Sequence, residues 1–193
     1  ELAKLNLQSK NYEVSLKLLL DLEERISKKN ILYKDIGLAY SGMGNLEKAL
    51  YFSDKSLQES QEYIEAQMLK GKTLRELGNY DEAMILFDKI LSRDSNYRDA
   101  LYQKGKINHD LGNYREALDL FDKVLALSPR DTEVLEAKGL SHDELDEYKE
   151  ASEAIMKSRT VENETIYNDR GVALTRLGYN HKAIDSYRRA LSS

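Results

Sequence analysis

The chain of 193 residues has no cysteine, one proline and no excess of either charge gathered in blocks. Without cysteine there is no disulfide framework, no thiolate metal site and no cysteine nucleophile, and the setting that fits is the cytoplasm. No stretch approaches the roughly 18 uninterrupted apolar residues that a membrane span requires, so no membrane association is expected. Glu1 to Lys10 lacks the basic start and apolar stretch of a signal peptide. The triplet Asn163-Glu164-Thr165 would accept a glycan only in a secretory context, and no such context is indicated. The formal charge is −5, with acids and bases interleaved along the chain, which repels phosphate mildly and argues against nucleic acid as a partner. With 41% hydrophobic and 33% charged residues, the composition is that of a soluble folded protein.

What the chain does have is a repeat. Gly37, Gly71, Gly105 and Gly139 are 34 residues apart, and Gly171 follows after 32. Ala49, Ala83, Ala117 and Ala151 keep the same step, and Ala183 again follows after 32. Around these columns the text recurs, most clearly in Leu77-Gly78-Asn79-Tyr80-Asp81-Glu82-Ala83 and Leu111-Gly112-Asn113-Tyr114-Arg115-Glu116-Ala117. Each segment predicts a helix stop followed by a helix start: Gly supplies the left-handed residue, Asn caps the next helix, and acidic residues complement its dipole. Asn11 to Ser15 fits the same register and marks an earlier, incomplete copy.

Between these turns, apolar residues recur at steps of three and four, as at Leu118, Phe121, Val124 and Leu125, which predicts amphipathic helices of about 12 to 14 residues. The sole proline, Pro129, falls where one helix has ended, and Asp131 or Thr132 is placed to cap the next. Nothing alternates with period two over a useful length, so the fold class is all-α.

The repeats resemble tetratricopeptide repeats, whose pattern sets a large residue, Leu-Gly, an aromatic, Ala, Phe and Pro at fixed offsets. The best copy reads Leu101, Gly105, Ala117, Phe121, Pro129. Others read Tyr33, Ile36, Gly37, Tyr40, Ala49; Gly71, Leu74, Ala83, Phe87; Leu135, Gly139, Ala151, Ile155; and Tyr167, Gly171, Ala183, Tyr187. The chain departs from the pattern at Lys70, Lys104, Lys138 and Arg170, where the family has Leu, and at Ser53, which stands for the Phe. The resemblance implies a right-handed α-solenoid of antiparallel helix hairpins. It covers one array over 1–193, with units at about 1–29 (incomplete), 30–63, 64–97, 98–131, 132–163 and 164–193. Small residues would let the two helices of a hairpin approach closely, while Phe87 and Phe121 fill the space towards the next repeat. The shortened connection at Thr160 to Glu164 should alter the local superhelix.

Catalysis is not expected, and neither a metal nor a cofactor. His109, His142 and His181 lie in different units without metal-ligand spacing, carboxylates such as Glu23, Glu24, Glu144 and Asp146 read as solvated helix faces, and every Gly-Asn is a helix connection rather than a phosphate loop.

In the family the first helix of each hairpin lines a concave groove for a peptide or protein partner. Carried over residue by residue, this selects Lys34, Leu38 and Ser41, then Glu65, Met68, Lys72 and Arg75. Asp99, Tyr102, Lys106 and His109 follow, then Glu133, Glu136, Leu140 and Asp143, then Asn168, Val172 and Arg176. Lys34, Lys72, Arg75 and Lys106 form an expected basic strip, Glu133, Glu136, Asp143 and Glu144 an acidic one, and Met68, Tyr102 and Leu140 apolar anchors. The expected ligand is an extended or helical segment, acidic where it meets Lys72 and Lys106. The constellation with which some relatives clamp an acidic C-terminal carboxylate is missing: Leu38 follows Lys34 where Asn belongs, Asp35 and Leu69 hold the lone-Asn slot, and Asp99 and Gln103 stand for Lys and Arg. The reading is therefore a non-catalytic scaffold that binds protein. Two alternatives stay open: a homo-oligomer stacking through uncapped terminal repeats, and a regulatory segment of a larger enzyme.

Overall fold

The computed structural model describes residues 2–158, 168, 171–172, 174–176, 178 and 180–192. The connection Thr160 to Glu164, the triplet at Asn163, and Tyr167, Arg170, Leu177 and Tyr179 lie outside the described residues, and of Ile155 only the backbone is described. All described elements are helices, and they form an α-solenoid of helix hairpins in two compact halves, 1–95 and 96–193.

The first half holds α1 (Leu2–Gln8), α2 (Tyr12–Leu20), α3 (Lys29–Gly42), α4 (Leu46–Glu59), α5 (Ile64–Glu76) and α6 (Tyr80–Leu91). Each helix packs on the next, and α1 on α3 and α3 on α5, so the first helices of successive hairpins form one layer. Ala3, Leu19, Leu32, Tyr33 and Ile36 make the buried core at its start, with Leu16, Tyr40 and Phe52 packed around them. The second half holds α7 (Arg98–Asp110), α8 (Tyr114–Leu127), α9 (Thr132–Glu144), α10 (Tyr148–Ser158) and α11 (Asn180–Ser192). There α7 pairs with α8, α8 with α9 and α9 with α10, and α7 also touches α9.

The hairpin turns follow from one backbone device. Lys10, Gly44, Gly78, Gly112, Asp146 and Gly178 all have positive φ, between 58° and 79°. Their spacing is the sequence period, including the two-residue shortening before the last. At Gly78 the N–H donates to the carbonyl of Arg75 (3.0 Å), and the next N–H, of Asn79, donates back to Leu74 (2.8 Å). The same pair recurs at Gly44 and Asn45, at Gly112 and Asn113, and at Asp146 and Glu147, so two carbonyls that each ending helix leaves open are satisfied.

That device corrects the expected role of the asparagines. Only Asn45 accepts a capping bond through its side chain, from the Lys48 N–H at 3.1 Å, whereas Asn11, Asn79 and Asn113 do not. Their ψ of 61° to 65° is smaller than the 78° of Asn45 and falls short of the extended geometry of Asp131 (ψ 100°), which does cap Val134.

Small columns set the helix spacing. A Cβ built on Gly71 would lie 2.6 Å from Cε1 of Phe87, whose side chain is fully buried, and Gly105 faces Phe121 and Gly171 faces Tyr187 in the same way. The aromatic ring thus packs onto the glycine of its own hairpin rather than only towards the next repeat. Where Ser53 replaces the Phe, its hydroxyl donates to the Leu50 carbonyl at 2.7 Å. There Gly37 is met by Leu69 of α5, whose Cδ2 would be 2.8 Å from an added Cβ. In the first hairpin Ala3 and Ser15 occupy the two small columns, both buried, and the Ser15 hydroxyl donates to the Ala3 carbonyl at 2.8 Å.

The α9–α10 turn has Asp146 where four of its counterparts have Gly, and a charged cluster braces it. His142 Nδ1–H donates to Glu147 at 2.7 Å, and Arg115 at the start of α8 pairs with the other oxygen of the same carboxylate. His142 first, then Arg115, holds the Glu147 carboxyl below its ordinary value of 4.5, with desolvation opposing them.

Gly71→Ala should lower stability: helix propensity alone would give a gain of up to about 1 kcal/mol, but the buried ring has nowhere to move, and overpacking costs about 1–3 kcal/mol. Thermal unfolding is expected to shift down by several degrees, and a shift upwards would contradict the packing described. The depressed Glu147 carboxyl stabilises the fold above its unfolded-state value, and that stability is lost as pH falls through the folded-state value. Glu147→Gln should therefore melt below the parent at neutral pH, and melting curves across an acid series should converge below the ordinary value of 4.5.

Candidate protein-binding cleft

Residues at three- and four-step spacing on α7 and α9 share one helix face each, and the two faces meet over Phe121 of α8. The cleft between them, about 310 Å³, is lined by Tyr102, Lys106, His109 and Asp110 from α7 and by Glu133, Glu136, Ala137 and Leu140 from α9. Six of the groove residues expected from the sequence, Tyr102, Lys106, His109, Glu133, Glu136 and Leu140, come together here. Lys34, Leu38, Ser41, Glu65, Met68, Lys72 and Arg75 lie on α3 and α5 of the first half. Lys34 pairs with its neighbour Asp35, Leu38 is exposed, and Lys72 and Arg75 are half-buried.

Two of the three expected anchors are not offered to a ligand. Met68 is 5% exposed and Tyr102 only 4%, whereas Leu140 is 57% exposed. Tyr102 is covered by its own helix: the Arg98 guanidinium lies 5.1 Å from its ring centroid and the Lys106 ammonium 5.5 Å, one turn to either side. Its ring centroid lies 6.0 Å from that of Phe121, the two rings tilted by 45°.

Arg98, which the family pattern does not single out, organises the mouth. It donates two bonds to one oxygen of Asp131, at 2.8 and 2.6 Å, one to Asp99 at 2.7 Å and one to Glu133 at 3.2 Å. Asp131 uses its other oxygen to cap α9, so one carboxylate fixes both the helix start and the guanidinium. These bonds raise the pKa of Arg98 despite the desolvation that opposes them, and the side chain stays charged. The signal in the sequence is an Arg and an Asp 33 residues apart, close to one repeat.

His109 Nδ1 lies 2.9 Å from the buried Ser141 hydroxyl, which donates its one proton to the Ala137 carbonyl at 3.0 Å. The His109 contact is therefore an Nδ1–H donated to Ser141, and Nε2 is the ring nitrogen left for other partners. The ring also meets Tyr114 edge-on at 5.3 Å.

The charge around the cleft differs from the basic surface expected about Lys106. Asp110, Glu133 and Glu136 all line it, against one lysine and His109. Arg98 offsets little of this, because it is shared among three carboxylates. The acidic strip is partly engaged within the protein: Glu133 by Arg98, Asp143 by Arg176, and Glu144 by the Tyr114 hydroxyl at 3.3 Å. Among the described residues no three His, Asp or Glu side chains form a group that could hold a metal, and no helix is long and apolar enough to cross a membrane. His142 is held by Glu147, and His181 is exposed on α11.

A family model for subunit 3 of the anaphase-promoting complex, cyclosome, matches residues 42–124, and two tetratricopeptide repeat models match residues 102–158 and 164–193. No curated protein matches the chain in sequence. Among similar solved structures is the MamA 41-end fragment from Desulfovibrio magneticus RS-1, 24% identical with a TM-score of 0.73, covering 85% of this chain and 94% of that one. The C-terminal part of a TPR repeat-containing protein from Cytophaga hutchinsonii is 17% identical with a TM-score of 0.76, covering 98% of this chain and 77% of that one. A thermophilic TPR protein from Thermus thermophilus is 18% identical with a TM-score of 0.68, covering 84% of this chain and 90% of that one. These structures are alike in fold.

Proposed function

We propose that this chain, which belongs to the tetratricopeptide repeat family and is in general terms a protein-interaction scaffold, holds a segment of a partner protein in the groove lined by the first helix of each hairpin, without catalysing a reaction. The observation that carries this reading is the α7–α9 cleft. Residues chosen from two separate helices line one cavity, with the exposed Leu140 as an apolar contact and charged groups around it. That combination of an apolar anchor inside a polar rim suits a protein ligand. The repeat columns run unbroken from Ala3 to Tyr187, which supports a single array of six units as the binding element. The absence of cysteine and the net charge of −5 agree with a cytoplasmic scaffold whose partner is neither nucleic acid nor membrane. No cofactor enters this reading.

Affinity capture from a cytoplasmic extract tests it, with the unaltered chain and an Ala137→Gln, Leu140→Gln double variant as parallel baits. Both positions are on the cleft side of α9, and Gln is a good helix former, so the fold should be kept while the anchor is lost. A partner retained only by the unaltered chain is the expected result. Recovery of the same proteins on both baits would place binding elsewhere, and recovery of nothing but further copies of the chain would point to self-assembly instead.

A further inference from the structure

Resting on the groove reading above, we infer that the α7–α9 cleft receives a basic side chain, the Lys or Arg of a partner segment, set between apolar residues of that segment. Charge decides the sign. Asp110, Glu133 and Glu136 line the cavity, and among the described residues that line it only Lys106 carries a permanent positive charge. The cation at its mouth, Arg98, is committed to Asp99, Asp131 and Glu133 together, so carboxylates outnumber cations around the opening. The net charge of the lining is therefore negative, which disfavours an acidic ligand side chain and favours a basic one.

The walls fit the rest of such a side chain. The methylene stem of Lys or Arg lies well on apolar surface while its head stays polar, and Leu140 and Ala137 supply that surface on α9. The face of Tyr102 is already occupied by Arg98 and Lys106, so the cation is read by the carboxylates rather than by stacking on that ring. His109 adds Nε2, since Nδ1 is bound to Ser141, and in the neutral ring Nε2 accepts a hydrogen bond.

Selection from a phage-displayed library of random peptides against the full chain tests this, followed by affinity measurements on the selected peptides. The expected result is a shared Lys or Arg flanked by apolar residues. Replacing that residue by a neutral isostere, citrulline for Arg, should weaken binding about tenfold or more, because a charge-assisted contact is removed. Glu136→Gln, at an exposed position and with its melting temperature checked against the parent, should weaken the basic peptide by a similar factor and leave the citrulline peptide unchanged. Peptides that share an acidic or neutral residue, or that bind equally with citrulline, yet are lost on the Ala137→Gln, Leu140→Gln chain, would overturn the basic ligand and leave the groove standing. Peptides that bind that double variant as well as the parent would overturn both.

Discussion

The close approach of each aromatic ring to a glycine of its own hairpin is the contact on which the architecture depends. Phe87 lies against Gly71, Phe121 against Gly105 and Tyr187 against Gly171, each so near that a methyl group could not stand between them. This sets how closely the two helices of a hairpin lie, and therefore how the first helix presents its other face. In the second half, Gly105 and Phe121 fix α7 on α8, Phe121 becomes the floor of the cleft, and α9 closes its far side. The packing residue and the floor of the candidate site are one side chain.

Between hairpins a second kind of contact recurs, polar and separated by about one repeat. Arg98 with Asp131, Arg115 with Glu147, Arg176 with Asp143 and His109 with Ser141 tie neighbouring hairpins in the second half, and Lys55 with Glu23 and Arg93 with Glu62 do so in the first. Most are half-exposed, so each adds little alone. Arg98 differs because its carboxylate partner is also a helix cap, which leaves both groups little freedom. A repeat whose hydrophobic core alone would allow some sliding is thus held in register by pairs that match only at one offset.

The register was legible because glycine and alanine columns leave a period that no other feature of the chain imitates. The turns at Lys10 and Asp146 were harder to see, since their left-handed residues are not glycine and only the spacing reveals them. The asparagines misled at Asn11, Asn79 and Asn113, whose ψ keeps the side chain from the helix ahead, whereas Asn45, at a larger ψ, does cap its helix. Six of the residues selected as a helical face line the cleft, but periodicity cannot tell that Met68 and Tyr102 are covered. In Tyr102 the cover comes from Arg98 and Lys106 on the same helix. The sign of the cleft was hidden because Asp110, four residues beyond Lys106 on the same helix, was not among the residues selected.

The account centres on a cleft between two first helices that is apolar at Leu140 and acidic around it. A crystal structure of the full chain with a peptide selected for binding addresses that most directly. The account predicts the peptide along α7 and α9, with a basic side chain beside Glu133 or Glu136 and its apolar neighbours on Leu140. A peptide seated on the second helices, on α8 and α10, or one that turns an acidic residue into the cleft, would contradict it.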